Sequence, residues 1–321
     1  MIAENPEPLL PTEVDDADAA VATRDLVRTF GATRALDGVN LTVPTGAFYA
    51  LVGRNGAGKT TALRVLQDLL LPDRGRVEVL GMDPATEGAR VRAATGHVPE
   101  GSAHEYGWMT VERHVEHHAA YRPAWDWDYA RSLGRELELK WKGRWKELSK
   151  GQARRAQLVM ALAHRPPLLL LDEPTDGLDP VVRDHVLGLL AEHAAATEAT
   201  VIVCTHIVHE AERLADHVGV LHQGRLTAQL SRERLHEGLH RYRAVVPEDW
   251  SPPAPVERAT VRVNGTGRQA SWTLWGDQEE LRRELATSGA EVTDVRPLSL
   301  EEATLDILNA QSGALTTGGD S

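Results

Sequence analysis

Residues Gly53 to Thr61 have the sequence GRNGAGKTT, which matches the phosphate-loop pattern G-x-x-x-x-G-K-[ST]. The preceding residues, FYALV at 48–52, predict a short buried strand, and ALRVL at 62–66 predicts a helix with apolar spacing. Strand, glycine turn and helix follow in the order that a phosphate-binding loop requires. A glycine-rich turn with a surface lysine is the alternative interpretation.

The residue types of this loop suit a bound triphosphate. Gly53, Gly56 and Gly58 allow backbone conformations that turn successive N–H groups toward an anion at the helix N-terminus. We expect Lys59 to reach the β- and γ-phosphates and the hydroxyl of Thr60 to ligate Mg²⁺.

Length and composition limit the class of protein. The 321 residues allow one large α/β domain and a smaller one. A formal net charge of -12, from 35 basic and 47 acidic side chains, disfavours a nucleic-acid surface, although a local basic patch stays open. The single cysteine, Cys204, cannot form an internal disulfide and is expected to be a small buried side chain of a cytosolic protein.

The sequence carries neither a membrane-span pattern nor a zinc pattern. No apolar run approaches the ~18 to 20 residues that span a bilayer, so any action at a membrane needs a second chain that crosses it. The acidic, proline-bearing N-terminus is unlike a targeting peptide. The 14 histidines lack the ligand spacing of a zinc site, so we expect none.

Two carboxylates follow a second predicted strand. Four leucines at 168–171 without polar alternation indicate a central strand that is buried on both faces. Asp172 and Glu173 then lie where α/β sheets bind ligands. We expect Asp172 to hold Mg²⁺ through water and Glu173 to orient or deprotonate the attacking water. A strand that simply ends in a polar turn is the alternative.

A histidine follows the next predicted strand. The β-branched run at 200–205 brings His206 to the same sheet edge as Glu173. A lone histidine is usually structural, but this placement favours a contact with the γ-phosphate.

Three further residues are candidates with alternatives. Ser149, within LSKGQ at 148–152, is a predicted helix N-cap beside a second anion-binding helix end, and an ordinary capped helix is the alternative. Asp179 is the predicted cap of the helix that begins near Pro180. Phe30 lies before a glycine loop at a distance that lets its ring cover a bound base, but taken alone it is expected in the core.

The rest of the pattern divides the chain into segments. A loop is predicted at 31–38 between strands at 26–30 and 39–43, and a proline-rich loop at 248–255. The expected domains are a mobile acidic tail at 1–20, a large α/β domain at 21–230 with a helical subdomain at about 101–165, a small α+β extension at 231–312 and a disordered tail at 313–321.

Together the motifs resemble the nucleotide-binding subunit of ABC transporters over about residues 22–230. The matching features, in order, are GRNGAGKTT, a strand that ends at Glu100, LSKGQ, LLLLDEP with GLDP, and His206. The resemblance implies an α/β P-loop NTPase fold with an inserted helical subdomain, and an ATPase that uses ATP and Mg²⁺. Glycine-loop NTPases of other kinds lack the LSKGQ element.

The resemblance also assigns roles to residues. Glu173 and His206 would be catalytic, and Thr60, Glu100 and Asp172 would hold the metal. The nucleotide would be bound by Phe30, Gly53, Asn55, Gly56, Ala57, Gly58, Lys59, Thr60, Thr61, Ser149, Gly151, Gln152 and Asp179.

Two positions depart from the family pattern. Glu100 replaces the usual glutamine and adds negative charge near Glu173, which we expect to make nucleotide binding more strictly Mg²⁺-dependent. Lys150 replaces the first glycine of the usual LSGGQ. Bacterial export-type subunits, including the Ytr-type, are similar in the acidic substitution and in a Trp-Asp-Trp like that at 125–127.

The resemblance implies partners. Two such subunits, either two copies or one copy and a paralogue, meet head to tail, so that Ser149 and Gly151 of one cover the ATP held by the other. The resemblance also implies a separate membrane permease, which would contact residues 100–110 and the helical subdomain and be driven from the cytoplasmic, inner face of the membrane. Tyr106 and Trp108 suit docking or inward packing alike.

Other functions stay open at this stage. One is a soluble ABC-type ATPase that acts on nucleic acid or the ribosome, which the acidic composition and single nucleotide domain disfavour; no nucleic-acid partner is expected. Another is a nucleotide-dependent regulatory module with negligible turnover.

Overall fold

A computed structural model describes residue 10 and residues 18–101, 107–265 and 268–312. The predicted tail at 313–321 and residues 102–106 of the predicted permease contact lie outside the described residues, as does most of the tail at 1–20. Ala19 and Ala20 already belong to the first strand.

A six-stranded sheet, termed the nucleotide sheet because the predicted phosphate loop follows one of its strands, forms one half of the molecule. Its strands are β4 (Phe48–Val52), β6 (Thr95–Val98), β7 (Leu168–Asp172), β8 (Thr200–Thr205), β9 (His217–His222) and β10 (Arg225–Ser231). Their spatial order is β10-β9-β4-β8-β7-β6, and all neighbours are parallel except β10, which runs antiparallel to β9. The strand predicted from the four leucines is fully buried between two others, as expected.

The register of this sheet brings the predicted site residues to one edge. Val52 pairs with Thr205, and Asp172 pairs with Cys204. The residues that follow β4, β7 and β8 therefore emerge side by side at the carboxyl ends of parallel strands, where this class of sheet binds ligands. Cys204 is buried, as predicted.

A second, antiparallel sheet packs beside the first and corrects one prediction. It consists of β1 (Ala19–Phe30), β2 (Thr33–Val39), β3 (Thr42–Pro44) and β5 (Arg74–Val79). The predicted loop at 31–38 is wrong, because β2 occupies most of it and Phe30 pairs with Thr33 across a two-residue turn. Only Leu36 and Val39 of β2 are buried, so the segment lacks the apolar alternation that identifies a strand.

Helices cover the nucleotide sheet and form the predicted helical region. Helix α1 (Lys59–Leu66) follows the phosphate loop, and α6 (Pro180–Thr197) and α7 (Val208–Glu212) follow β7 and β8. The other helices of this half are α2 (Pro84–Ala94), α3 (Val111–Ala119), α4 (Trp127–Glu136), α5 (Lys150–Leu162) and α8 (Arg232–Gly238), with a 3-10 turn at Trp145–Glu147.

The C-terminal residues form a third sheet, as the predicted α+β pattern requires. Its strands are β11 (Leu239–Val245), β12 (Thr260–Asn264), β13 (Gln269–Trp275) and β14 (Glu291–Pro297), in the order β12-β13-β11-β14. Its helices are α9 (Ala254–Ala259), α10 (Gln278–Thr287) and α11 (Leu300–Ser312). A capping box begins α11, because Ser299 Oγ accepts from the Glu302 N–H at 3.1 Å and Glu302 Oε2 accepts from the Ser299 N–H at 3.3 Å.

One hydrophobic cluster connects this C-terminal unit to the nucleotide sheet. Leu169 and Val203 of the sheet and Ala303 and Ile307 of α11 belong to the same buried cluster. The predicted domain boundaries therefore stay a prediction. Among the described residues, no helix combines the length and apolar character that a membrane crossing needs.

Candidate nucleotide site

The phosphate loop joins the end of β4 to the start of α1. Gly56 and Gly58 adopt the left-handed region, with φ of 81° and 112°. A Cβ atom on Gly58 would lie 2.3 Å from the carbonyl oxygen of Ala35, so the loop permits no side chain there. Gly58 directly precedes the helix, which leaves the first N–H groups of α1 available to an anion.

Lys59 and Thr60 begin this helix and extend toward different partners. The ammonium of Lys59 is buried and donates to the carbonyl oxygen of Gly53 at 2.6 Å, which holds it against the loop. The hydroxyl of Thr60 lies 3.4 Å from Oε2 of Glu100, near the end of β6. The structure thus brings together two of the three predicted metal ligands.

The third predicted ligand, Asp172, is a buried carboxylate at the end of β7. Its Oδ1 atom has no hydrogen-bond partner among the described residues. Burial raises the pKa of Asp172, and the charges of Glu100 and Glu173 raise it further. A cation beside this oxygen would offset that concentration of negative charge.

The donor set fits Mg²⁺. Thr60, Glu100 and Asp172 offer oxygen atoms, which this hard cation prefers, and all three line a cavity of about 450 Å³ with the phosphate loop. In the described part of the chain, no three His, Cys, Asp or Glu side chains are arranged to hold a metal by themselves. Mg²⁺ bound to a nucleotide takes several ligands from phosphates and water, so a sparse protein set is expected.

Glu173 is buried beside Asp172 and is held by the end of β8. Its Oε1 accepts the backbone N–H of His206 at 3.0 Å and lies 2.7 Å from the Nδ1 atom of that histidine. Its Oε2 accepts from the hydroxyl of Thr205 at 3.2 Å. Glu173 has a φ of 49°, a conformation that costs energy in a residue with a side chain and is common at functional sites.

The LSKGQ segment forms the start of α5 and does not line the 450 Å³ cavity. Ser149 and Lys150 line an adjoining cavity of about 1360 Å³, whose wall also includes Thr60, Glu100 and Asp172. Ser149 caps the helix as predicted, with its Oγ accepting from the Gln152 N–H at 3.2 Å. Lys150 pairs with Asp176 at 2.5 Å. A Cβ atom on Gly151 would lie 2.9 Å from the carbonyl oxygen of Gly177, which explains the glycine.

Comparison with known proteins places this arrangement in a family. The sequence model described as ABC transporter matches residues 36–176, and a model described as an AAA domain matches residues 142–211. The ATP-binding protein YtrB of Bacillus subtilis (strain 168) is 31% identical over 217 residues, which cover 68% of this chain and 74% of YtrB. The chain belongs to the ABC transporter ATP-binding family.

Other comparisons support this ABC subunit's fold and activity. The daunorubicin/doxorubicin resistance ATP-binding protein DrrA of Streptomyces peucetius is 34% identical over 231 residues, 68% of each chain. A dimeric ATP-binding cassette in a post-hydrolysis state with ADP and Pi has a TM-score of 0.59 and 25% identity, and covers 66% of this chain and 98% of that one. The predicted P-loop fold and ATPase activity are confirmed.

Seven predicted site residues of the ABC subunit do not line the 450 Å³ cavity: Phe30, Gly53, Ser149, Gly151, Gln152, Asp179 and His206. Asp179 caps α6, since its Oδ1 accepts from the Val182 N–H at 3.1 Å. The core alternative for Phe30 is wrong, because 48% of its surface is exposed at the end of β1 and the guanidinium of Arg28 lies 4.9 Å from its ring centroid. Stacking of Phe30 on a base stays a prediction.

Several residues of the ABC site were not predicted from the sequence. The cavity lining includes Arg34 and Gln223. Arg34 lies in β2, where a loop was predicted, and Gln223 lies in the turn between β9 and β10, which was not predicted. Buried Arg154 of α5 donates to the carbonyl oxygens of Pro99 at 2.5 Å and Glu100 at 2.7 Å. Arg154 lies among the buried positions of α5, and charged residues are rarely buried without a partner. An arginine at a core position of this helix could therefore have been recognised as a residue with a specific partner.

Proposed function

We propose that this ABC subunit powers export by a separate membrane protein, by binding Mg²⁺-ATP between two ATPase subunits that separate after hydrolysis. The observation that carries the proposal is the pair of carboxylates at the end of β7. Glu173 is fixed by two neighbouring residues, while the adjacent Asp172 keeps one buried oxygen unpartnered among the described residues. One carboxylate is thus oriented for chemistry and the other is available to a cation.

Each residue of the site has a separate task in this proposal. Lys59 and the N–H groups at the start of α1 bind the phosphates. Glu173 orients the attacking water and accepts its proton, since its position is fixed by His206 and Thr205. Thr60, Glu100 and Asp172 hold Mg²⁺, which supplies charge neutralisation at the phosphates when it is bound.

A second subunit completes the site. Ser149, Gly151, Gln152 and Asp179 would bind the nucleotide of another copy or a paralogue. None of them lines the cavity that contains Lys59, and Ser149 lines only the adjoining one. A similar cassette that is dimeric in its post-hydrolysis state supports the same arrangement. Separation of the subunits after loss of the γ-phosphate would then move the membrane partner.

The membrane partner would dock on a groove between the nucleotide sheet and the helical region. The groove has a volume of about 600 Å³, and its wall includes Leu69 and Tyr121, whose exposed fractions are 55% and 66%. Arg122 also lines the groove, and burial and the charge of Arg92 lower the pKa of its guanidinium. This environment disfavours the positive charge of Arg122, so a carboxylate of the partner would be favoured beside it. Docking at this groove places the subunit at the cytoplasmic face of the membrane.

Glu173→Gln tests the hydrolytic part of the proposal. The variant keeps the shape of the side chain but cannot accept the proton, so we expect hydrolysis to fall by about 10²-fold or more while ATP binding persists. ATP should then convert the variant to a dimer, alone or with its paralogue, in light scattering after gel filtration. Glu138→Gln, on an 82% exposed side chain, is the matched control and should behave as wild type. Unchanged hydrolysis in Glu173→Gln would refute this role.

Tyr121→Ala combined with Arg122→Glu tests the docking groove. We expect the doubly substituted chain to bind ATP as wild type but to lose co-purification with its membrane partner from native membranes. Arg131→Glu, an exposed change on α4, is the control. Retained co-purification would exclude the groove, and lost ATP binding would show that the change acts on the nucleotide site instead.

A further inference from the structure

The C-terminal helix α11 lies against the short helix that follows His206. Helix α7 begins two residues after His206 and contacts α11. The N–H of Leu300, at the start of α11, donates to Oε1 of Glu212, the last residue of α7, at 2.8 Å. Val208 at the other end of α7 belongs to the buried cluster that includes Ala303.

The same helix is fixed to the C-terminal sheet by buried ion pairs. Asp306 of α11 has a side chain that is only 4% exposed, and it accepts from Arg241 at 2.6 Å, Arg262 at 2.7 Å and Thr273 at 2.5 Å. One turn earlier, Glu302 pairs with Arg241 at 2.9 Å. Buried charges that are paired and hydrogen-bonded resist displacement, because separation would leave a charge unpaired.

A five-residue helix cannot fix its own position. Isolated helices shorter than about 12 residues are marginal in water, so the orientation of α7 depends on what it packs against. Glu212 contributes a carboxylate to the N-terminal end of α11, where a negative charge is favourable. The hydrogen bond of Glu212 therefore ties the C-terminal end of α7 to α11, and Val208 anchors the other end in the buried cluster that α11 also joins.

We propose that Glu212 is a positioning residue for His206, through which the C-terminal unit holds the imidazole against Glu173. The inference rests on the proposed role of Glu173 and His206 in hydrolysis. The C-terminal unit then does more than stabilise the chain. A displacement of α11 together with the C-terminal sheet would move α7 and thereby change the contact between His206 and Glu173.

The test compares Glu212→Ala and Glu212→Gln in the full-length chain. We expect Glu212→Ala to lower kcat by about 3- to 10-fold with KM for ATP within about 2-fold, because the nucleotide-binding residues are untouched. Glu212→Gln keeps an oxygen that accepts from the Leu300 N–H and should recover most of the loss. Asp184→Ala removes an exposed ion pair to Arg213, the residue after Glu212, and is the control expected to match wild type.

A double-substitution cycle separates positioning from general stability. In a His206→Ala background, Glu212→Ala should lower the residual kcat by less than about 2-fold, since its effect acts through the histidine. Hydrogen exchange measured in parallel should rise in peptides spanning 206–212 and 300–305 only. A rise throughout the chain, a fully additive loss, or an unchanged kcat in Glu212→Ala would overturn the proposal. If His206→Ala itself leaves hydrolysis unchanged, the underlying role of His206 fails instead.

Discussion

The Nδ1 atom of His206 lies 2.7 Å from Oε1 of Glu173, and the same oxygen accepts the backbone N–H of His206 at 3.0 Å. An ionised carboxylate can only accept, so this contact places the ring hydrogen on Nδ1 and leaves Nε2 for a second partner. His206 is 45% exposed at its side chain, whereas Glu173 is 8% exposed. The histidine thus connects a buried carboxylate to the open part of the site, and its predicted contact with the γ-phosphate would use Nε2.

Thr205→Val should lower kcat by about 3- to 10-fold and leave KM for ATP unchanged. The substitution keeps the shape of a buried side chain but removes the hydroxyl that donates to Oε2 of Glu173 at 3.2 Å. Glu173 would then be held on one oxygen only. Steady-state ATP hydrolysis measures the effect. Thr227→Val is the control, because the buried hydroxyl of Thr227 donates to the carbonyl oxygen of Val220 on β9 and not to Glu173. Equal rates of hydrolysis for both variants and wild type would show that Oε2 of Glu173 needs no donor.

Arg154→Met should lower both stability and hydrolysis. The change leaves the carbonyl oxygens of Pro99 and Glu100 without their guanidinium donor, and because these contacts are only partly buried we expect a total loss of about 1–3 kcal/mol. Glu100 would also lose its fixed backbone beside Thr60. Urea unfolding and ATP hydrolysis measure the two effects.

An exposed arginine supplies a control for this prediction. Arg90 on α2 is 73% exposed and pairs with Glu87, so Arg90→Met should change the free energy of unfolding by less than about 1 kcal/mol. Equal losses in the Arg154 and Arg90 variants would mean that the carbonyl contacts contribute nothing specific.

Much of the nucleotide site follows from local sequence. The phosphate loop, the strand of four leucines and the β-branched strand before His206 are contiguous signals, and parallel pairing brings their ends to one edge. The hydrogen bond from Thr205 to Glu173 was not predictable, because it depends on the side-chain conformations of two strands 32 residues apart in sequence. The strand β2 was missed for the opposite reason, since its polar residues outnumber its buried ones.

The C-terminal unit shows the same limit at longer range. Its α+β class was predicted for residues 231–312, whereas β11 and α9 were not predicted, and α9 begins within the predicted loop at 248–255. The contact between Leu300 and Glu212 joins residues 88 positions apart and leaves no local pattern. A functional role for this unit could therefore be inferred only from the structure.

Glu100→Gln should make ATP binding less dependent on Mg²⁺. Glu100 lies 3.4 Å from the Thr60 hydroxyl, and its charge adds to that of Asp172 at the metal position. Removing this charge lowers the repulsion that the phosphates meet when the cation is scarce. Titrating a fluorescent ATP analogue at Mg²⁺ concentrations from micromolar to millimolar measures the change. Identical curves for the variant and wild type would refute the prediction. The control is Glu147→Gln, an exposed change at the end of the 3-10 turn and outside the cavity lining.

Glu302→Gln should destabilise the folded chain above the ordinary carboxyl pKa but not in strong acid. The hydrogen bond with Arg296 lowers the pKa of Glu302 from 4.5 to about 2, together with the Ser299 N–H and Arg241. A lowered pKa stabilises the folded state above about 4.5, and this contribution disappears as the pH falls toward about 2. Because the side chain is 31% exposed and screened by solvent, we expect a loss of roughly 0.5–1 kcal/mol at pH 7.

Urea unfolding at pH 7, 5 and 3 distinguishes this prediction from a loss of packing. The two higher values lie above the ordinary pKa of 4.5, and the lowest lies between 4.5 and the lowered pKa of about 2. The difference in unfolding free energy between wild type and Glu302→Gln should be equal at the two higher values and smaller at the lowest. Glu301→Gln, an exposed change at the preceding position, should show no such dependence. A difference that stays constant across the whole range would mean that Glu302 acts through shape rather than charge, because only ionisation links its contribution to pH.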